Sequence, residues 1–138
     1  WTVFYRAETY YNVATKELEY ATARALHNLS HGESFLELMD TQFSPNSLYI
    51  FDEPEAALSP MRLLTLMLEI DRLVKNDSQL IIATHSPMLM AFPDAEILEF
   101  SSDGIKKVNY RDTEHYKITK QFLENPEKML HYLLRENG

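Results

Sequence analysis

The sequence predicts an α/β fold in which helices flank a parallel β-sheet. Three short apolar runs have the character of buried strands, and segments with helical periodicity separate them. The runs are SLYIF at 47–51, QLIIAT at 79–84 and AEILEF at 95–100. Strands that alternate with helices usually pair in parallel through right-handed crossovers. We therefore expect the three runs to share one sheet.

Helices are predicted from composition, apolar spacing and capping residues. Residues 9–28 lack Gly and Pro and are rich in helix formers. Residues 30–43 open with a serine and carry five large apolar side chains, which indicates a second helix. Three further helices are predicted to start where a capping residue precedes a proline, at Ser59–Pro60, Ser86–Pro87 and Asn125–Pro126.

The remaining pattern predicts a hairpin and two apolar helix faces. The SSDG stretch at 101–104 is typical of a turn, and IKKVNY at 105–110 is a candidate hairpin partner for AEILEF. Apolar stripes at helical spacing occupy residues 63–74 and 129–134. We interpret both stripes as core rather than as ligand-binding surfaces.

Composition limits the classes of function. The 138 residues are 45% hydrophobic and 25% charged, as in ordinary globular domains. The net charge of −8 does not support nucleic-acid binding through the surface of this chain. The absence of cysteine excludes disulfides and zinc–thiolate sites and fits a reducing cytoplasm. No apolar run approaches the ~20 residues of a membrane span, so we expect a cytoplasmic protein without one.

Candidate chemistry follows two of the predicted strands. Asp52 and Glu53 end the first strand, and Thr84, His85 and Ser86 end the second. Ligands and reactions of parallel α/β sheets collect at the carboxyl ends of strands. Successive side chains of a strand point to opposite faces. One carboxylate can therefore bind a metal ion while the other faces a reacting water molecule.

Three motifs resemble those of the ABC-type ATPases. LYIFDEPEAAL at 48–58 resembles their Walker B strand and D-loop, and LSHGES at 29–34 resembles their signature motif. LIIATHSP at 80–87 resembles their switch-histidine strand. VFYRAETYYNVAT at 3–15 and DEPEAALSP at 52–60 resemble more closely a bacterial group of small AAA/ABC-like ATPases related to the SMC and RecF branch. The resemblance implies a partial P-loop NTPase sheet.

The chain also departs from the family pattern. His31 and Glu33 stand where the signature motif usually has Gly and Gln, and the D-loop ends in Ser59 instead of Asp. A P-loop needs two glycines five residues apart, the second followed by Lys and Ser or Thr. The three glycines of this sequence form no such motif: Gly32, Gly104 and Gly138.

The resemblance therefore implies that residues 1–138 are the carboxyl-terminal part of one ABC-type ATPase domain. It implies a helical signature segment at 1–45, α/β core strands at 46–110 and C-terminal helices at 111–138. The sequence leaves three alternatives open for the amino-terminal half with its P-loop: it was cut away, it is another chain, or it never existed. The opening Trp1, where a complete chain would have Met, indicates a piece of something longer or processed.

The resemblance implies ATP and Mg²⁺ as cofactors and a role for each motif. Asp52 would hold Mg²⁺ through water, Glu53 would orient and deprotonate the attacking water, and His85 would contact the γ-phosphate. Other residues would act across a dimer, partnered by a second copy or by the missing half. They are the signature residues Ser30, Gly32 and Glu33 and the D-loop residues Ala56, Ala57, Leu58 and Ser59.

Each motif alone also has a structural interpretation. Ser30 and Glu33 form a possible capping box, Asp52 and Glu53 could be a solvated strand end, and His85 could be a local hydrogen-bonding residue. The occurrence of all three motifs in the family order favours function. We predict an ATPase, inactive as the isolated chain. The alternatives are an ATP-dependent dimerisation module that regulates a partner such as a nuclease, and a structural fragment.

The family sheet order predicts one exposed edge. QLIIAT should pair with SLYIF on one side and face the P-loop strand on the other. Because this chain has no P-loop, that edge would be unpaired, and unpaired apolar edges promote association. Either AEILEF closes onto QLIIAT, or another copy or the missing half covers it.

Overall fold

The computed structural model describes residues 2–6 and 31–135. The chain divides into two compact units, Trp1–His85 and Ser86–Gly138. The strands predicted at 46–110 are therefore divided between two units. The helix predicted at 9–28 lies outside the described residues. Within the described part, no helix is both long and apolar enough to cross a membrane.

The first unit contains a three-stranded parallel sheet. Its elements in chain order are β1 (Thr2–Arg6), α1 (His31–Gln42), β2 (Leu48–Asp52), a 3₁₀ turn (Pro54–Ala57), α2 (Pro60–Lys75) and β3 (Gln79–Ala83). The strand order is β1-β2-β3. Both strand pairs are parallel, so the predicted pairing of SLYIF with QLIIAT is confirmed.

Strand β1 is not predicted from the sequence. It lies within the segment predicted to be helical, residues 1–45, and pairs with β2 along its whole length. Its apolar run, Val3 to Tyr5, is too short to indicate a strand by itself. The strand forms through hydrogen bonds to β2, which is distant in sequence, and local propensity does not report such pairing.

The core of the first unit lies between β2 and the helices. Tyr49 and Phe51 are buried and alternate with less buried residues along β2. The Tyr49 hydroxyl donates to the Ser44 carbonyl oxygen at 2.9 Å, which satisfies its buried polar end. From the helices, Met39 and the predicted α2 stripe complete the core, the buried members of the stripe being Leu63, Leu66, Ile70 and Leu73.

The start of α2 follows its sequence signal. Ser59 has an extended backbone, its Oγ accepts a hydrogen bond from the Arg62 amide at 3.4 Å, and Pro60 is the first helical residue. The predicted second helix, residues 30–43, is likewise observed as α1. For α2, the cap and the apolar stripe agree in placing the helix.

The second unit contains a hairpin and three helices. Its elements are α3 (Pro87–Met90), β4 (Ile97–Ser101), β5 (Gly104–Val108), a 3₁₀ turn (Tyr110–Asp112), α4 (Glu114–Glu124) and α5 (Pro126–Leu133). The predicted caps of α3 and α5 are observed, with Ser86 Oγ accepting from the Leu89 amide and Asn125 Oδ1 from the Lys128 amide.

The prediction that AEILEF joins the parallel sheet is wrong. Its strand, β4, pairs with β5 in a separate antiparallel two-stranded sheet, as the hairpin prediction for IKKVNY requires. The tight turn between β4 and β5 brings these two strands together. Gly104 has φ +117°, which glycine adopts without strain, and Ser101 Oγ accepts from the Asp103 amide. The turn therefore favours the local pairing of β4 with β5.

The apolar stripe at 129–134 is not core, contrary to the prediction. Leu133 and Leu134 on this stripe are 69% and 73% exposed. Among the described residues of the second unit, Leu89 is the buried hydrophobic side chain. A unit of this size buries a smaller share of its surface than a large domain does, so a short helix can be amphipathic without forming a core.

Candidate functional site

The carboxyl ends of the three parallel strands lie in register. Arg6 of β1 stands opposite Asp52 of β2, and Asp52 stands opposite Ala83 of β3. The residues that follow β2 and β3, Glu53 and Thr84, therefore leave the sheet at the same edge. The register therefore brings together the residues predicted to carry chemistry at these strand ends.

Asp52 forms an ion pair with Arg6. The distance from Arg6 Nε to Asp52 Oδ2 is 3.2 Å, and the two side chains are 48% and 35% exposed. The carboxylate is therefore held in a defined direction while part of it remains accessible to solvent. Arg6 is not among the predicted site residues, since a single arginine at the start of a chain carries no motif.

Glu53 lies where the backbone leaves the sheet. Its amide donates to the carbonyl oxygen of Ala83 at 2.8 Å, which continues the β2–β3 hydrogen bonding by one residue. Its φ and ψ are 48° and 53°, in the left-handed region that non-glycine residues adopt at a cost. Pro54 follows and begins the 3₁₀ turn. The turn directs the Glu53 side chain away from the path of β2.

Glu53 and His85 contact each other. The distance from His85 Nε2 to Glu53 Oε1 is 3.1 Å, and the side chains are 71% and 43% exposed for His85 and Glu53 respectively. The two predicted catalytic residues are thus brought together from separate strand ends. A carboxylate next to an imidazole, both open to solvent, can bind a water molecule and accept or relay a proton.

Glu55 is a site residue that was not predicted. Its Oε1 accepts hydrogen bonds from Thr84 Oγ1 at 2.6 Å and from the His85 amide at 2.8 Å. Its Oε2 is buried and has no hydrogen-bond partner among the described residues. The third carboxylate of the DEPE stretch was the available signal, but sequence alone did not show which way it points.

The signature residues are not tested by this geometry. Ser30 lies outside the described residues, and Gly32 and Glu33 lie in the first turn of α1. The D-loop residues follow Glu55: Ala56 and Ala57 close the 3₁₀ turn, Leu58 is its C-cap and Ser59 caps α2.

The donor set fits a magnesium ion that receives most of its ligands from elsewhere. Within the described ranges, no group of three or more His, Cys, Asp and Glu side chains could hold a metal ion. Mg²⁺ is usually bound through one or two carboxylates together with substrate phosphates and water. The partly exposed Asp52 can supply one such carboxylate, but a protein-only metal cage does not fit these residues.

A parallel sheet with an Asp–Glu pair at one strand end and Thr–His at the next is compatible with a P-loop NTPase-type domain. The chain belongs to the family described as "AAA domain, putative AbiEii toxin, Type IV TA system", whose model matches residues 5–91. The match spans Asp52, Glu53 and His85 and ends just after α3. The family is one of ATPase-like nucleotide-binding domains. No curated protein matches the sequence.

Proposed function

We propose that the chain is the water-activating part of an ABC-type ATPase domain that holds ATP between two subunits. The observation that supports this most is the 3.1 Å contact between Glu53 and His85 at the ends of adjacent parallel strands. The family membership supports a nucleotide as the ligand. In this proposal the phosphate-binding loop comes from a segment outside the 138 residues, since their three glycines form no P-loop.

Asp52 is the metal-holding residue of the proposal. A bound Mg²⁺ ion would neutralise charge on the nucleotide phosphates, which is a main requirement of phosphoryl transfer. Arg6 keeps the Asp52 carboxylate at the sheet edge before nucleotide arrives. Because the side chain of Asp52 is already restrained, less conformational entropy is lost when it binds the ion. The ion would, however, compete with Arg6 for the carboxylate oxygens.

Glu53 is the general base of the proposal. A base must lie within hydrogen-bond reach of the proton that it removes. The Glu53 side chain is 43% exposed, so a water molecule can reach it. His85 holds one oxygen of the carboxylate and fixes its orientation. In the closed dimer His85 would also contact the γ-phosphate and respond to its loss.

The signature and D-loop residues act across the dimer in this proposal. Ser30, Gly32 and Glu33 would contact the partner's nucleotide from the start of α1, where backbone amides and the helix dipole favour anions. Ala56, Ala57, Leu58 and Ser59 would face the partner subunit. The Ser59 hydroxyl already accepts the Arg62 amide, so Ser59 serves the cap of α2 as well.

A regulatory module with slow turnover is the second candidate. Both acidic site residues already have a side-chain partner: Asp52 is ion-paired with Arg6, and Glu53 contacts His85. In this candidate, the two contacts hold the carboxylates in a resting arrangement until nucleotide and partner are in place. Such a protein would use ATP to dimerise and to control a partner such as a nuclease.

The test is ATP turnover in an assembly that supplies the P-loop. Glu53→Gln keeps the shape of the side chain but removes the base, so we expect kcat to fall by about 10² or more while ATP still binds. Glu69→Gln, at a carboxylate paired with Arg72 on α2, is the matched control and should keep full turnover. Full turnover by Glu53→Gln would exclude Glu53 as the base. Slow turnover by the unaltered assembly would favour the regulatory candidate.

A further inference from the structure

The 3₁₀ turn after β2 is joined to the segment after β3 through one carboxylate oxygen. Glu55 Oε1 accepts from both the Thr84 hydroxyl and the His85 backbone amide, at 2.6 and 2.8 Å. Hydrogen bonds to an ionised acceptor are about twice as strong as neutral ones. Both distances are at the short end of their ranges. The contact therefore restrains two consecutive residues of the segment that carries His85.

The restrained residues lie beyond the regular sheet. Strand β3 ends at Ala83, and the Glu53 amide bonded to Ala83 is the last backbone contact between the two strand ends. The imidazole of His85 extends into solvent with 71% exposure. An exposed side chain has many accessible rotamers, so holding it toward Glu53 requires a fixed backbone. Glu55 supplies that restraint at the His85 amide.

We propose that Glu55 is the positioning residue that directs His85 toward Glu53. It accepts the Thr84 and His85 donors, fixes the backbone from which the imidazole projects, and thereby sets the Glu53–His85 contact at 3.1 Å. The importance of this contact for catalysis rests on the proposed function. The positioning itself does not, because it is a property of the chain without nucleotide.

The second oxygen of Glu55 argues against a role in fold stability alone. Oε2 is buried and has no hydrogen-bond partner among the described residues, and an unsatisfied buried acceptor lowers stability. A carboxylate is therefore not the most stabilising side chain for this position. Glutamine keeps one accepting oxygen for the Thr84 and His85 donors but puts an NH₂ group in place of Oε2, so Glu55→Gln tests the charge of the acceptor while one buried polar group stays unsatisfied.

The test compares Glu55→Ala, Glu55→Gln and Thr84→Val in the full chain by NMR. We expect Glu55→Ala to speed hydrogen exchange of the His85 amide by about tenfold or more. It should also abolish the NOE contacts that place the His85 ring beside the Glu53 side chain. Glu55→Gln should retain the NOE contacts, and its His85 amide should exchange at a rate between those of Glu55→Ala and the unaltered chain, because a neutral acceptor forms weaker hydrogen bonds. Thr84→Val should leave the His85 amide protected, because its own bond to Glu55 remains.

Circular dichroism and the matched control Glu69→Ala identify a general loss of structure. If Glu55→Ala unfolds the chain, the Gln and Val variants decide the outcome. Exchange of the His85 amide in Glu55→Gln equal to that of the unaltered chain, or retention of the Glu53–His85 contact in a folded Glu55→Ala, would overturn the positioning role. Failure of the proposed function has a different result: Glu53→Gln would keep turnover while the NMR effects of Glu55→Ala persist.

Discussion

Arg6 and Asp52 stand directly opposite each other in the parallel pairing of β1 with β2, and their side chains form an ion pair at 3.2 Å. The pair joins the ends of two strands that are far apart in sequence. It also places a positive charge beside the carboxylate that the proposal assigns to Mg²⁺. The contact can therefore be tested both as a structural link and as a competitor of the metal ion.

Replacement of Arg6 should have a small effect on stability. Both side chains of the pair are more than one third exposed, and such pairs contribute at most about 1 kcal/mol. We expect Arg6→Met to lower the free energy of unfolding by less than this in urea titrations at low salt, and by less still in 1 M NaCl. Lys75→Met, which breaks the exposed pair with Asp71, is the control. A loss above about 2 kcal/mol would contradict the assignment as a surface pair.

The isolated chain should bind ATP weakly and not hydrolyse it measurably. The backbone cradle and lysine of a P-loop supply much of the phosphate affinity in P-loop proteins, and this sequence has neither. Isothermal titration calorimetry should give a Kd above about 10 μM with MgATP. Tighter binding would show that the described sheet edge forms a phosphate site of another kind.

Asp52→Asn should weaken nucleotide binding that depends on Mg²⁺. The amide keeps the size of the side chain but removes the negative charge that a hard cation prefers. In an assembly that supplies the P-loop, we expect the ratio of ATP affinities with and without Mg²⁺ to fall. Asp71→Asn on α2 is the matched control and should leave the ratio unchanged. An unchanged ratio in Asp52→Asn would remove the metal assignment.

The buried stripe of α2 should dominate the stability of the first unit. Leu66 is fully buried, whereas Leu68 on the same helix is 70% exposed. We expect Leu66→Ala to cost about 2–5 kcal/mol because it leaves a cavity. Leu68→Ala should change stability by less than about 0.5 kcal/mol. Thermal or urea unfolding of the two variants tests this, and equal effects would contradict the observed packing.

The outer edge of β3 should promote self-association. Among the described strands, none pairs with this edge, and Ile81 at the middle of β3 is 51% exposed. Because β4 and β5 form a separate sheet, closure by AEILEF is not the solution adopted. We expect light scattering after size exclusion to show oligomers of the purified chain, and Ile81→Lys to reduce them. A well-folded monomer at all concentrations would refute the prediction.

The elements predicted correctly are those with agreeing local signals. Strands β2 and β3 are apolar runs that end in polar residues, and α2 combines a Ser–Pro start with a regular apolar stripe. Long-range pairing is not encoded in such patterns. Strand β1 depends on β2 for its hydrogen bonds. AEILEF pairs with the segment that follows the next turn, and it does not join the parallel sheet. Sequence therefore indicates the elements better than it indicates their partners.

The candidate site was predictable where its residues lie at the carboxyl end of a strand, because ligands of parallel sheets bind there. Asp52, Glu53 and His85 could be named because each stands at a strand end, and parallel pairing brings strand ends together. Arg6 and Glu55 could not be named. Arg6 reaches the site through the β1–β2 register, and Glu55 reaches it through the course of a 3₁₀ turn. Neither feature can be recognised from the residue alone.

The left-handed backbone of Glu53 opposes thermal stability to the catalytic role proposed for this residue. Glycine adopts φ 48° and ψ 53° freely, whereas a residue with a Cβ pays about 1–2 kcal/mol. A library selected only for thermal tolerance should therefore enrich Glu53→Gly, which relaxes the backbone and deletes the carboxylate. In an assembly that supplies the P-loop, selection for turnover should return glutamate at the same codon. If glycine is not enriched by heat selection, the backbone at Glu53 is not a source of strain.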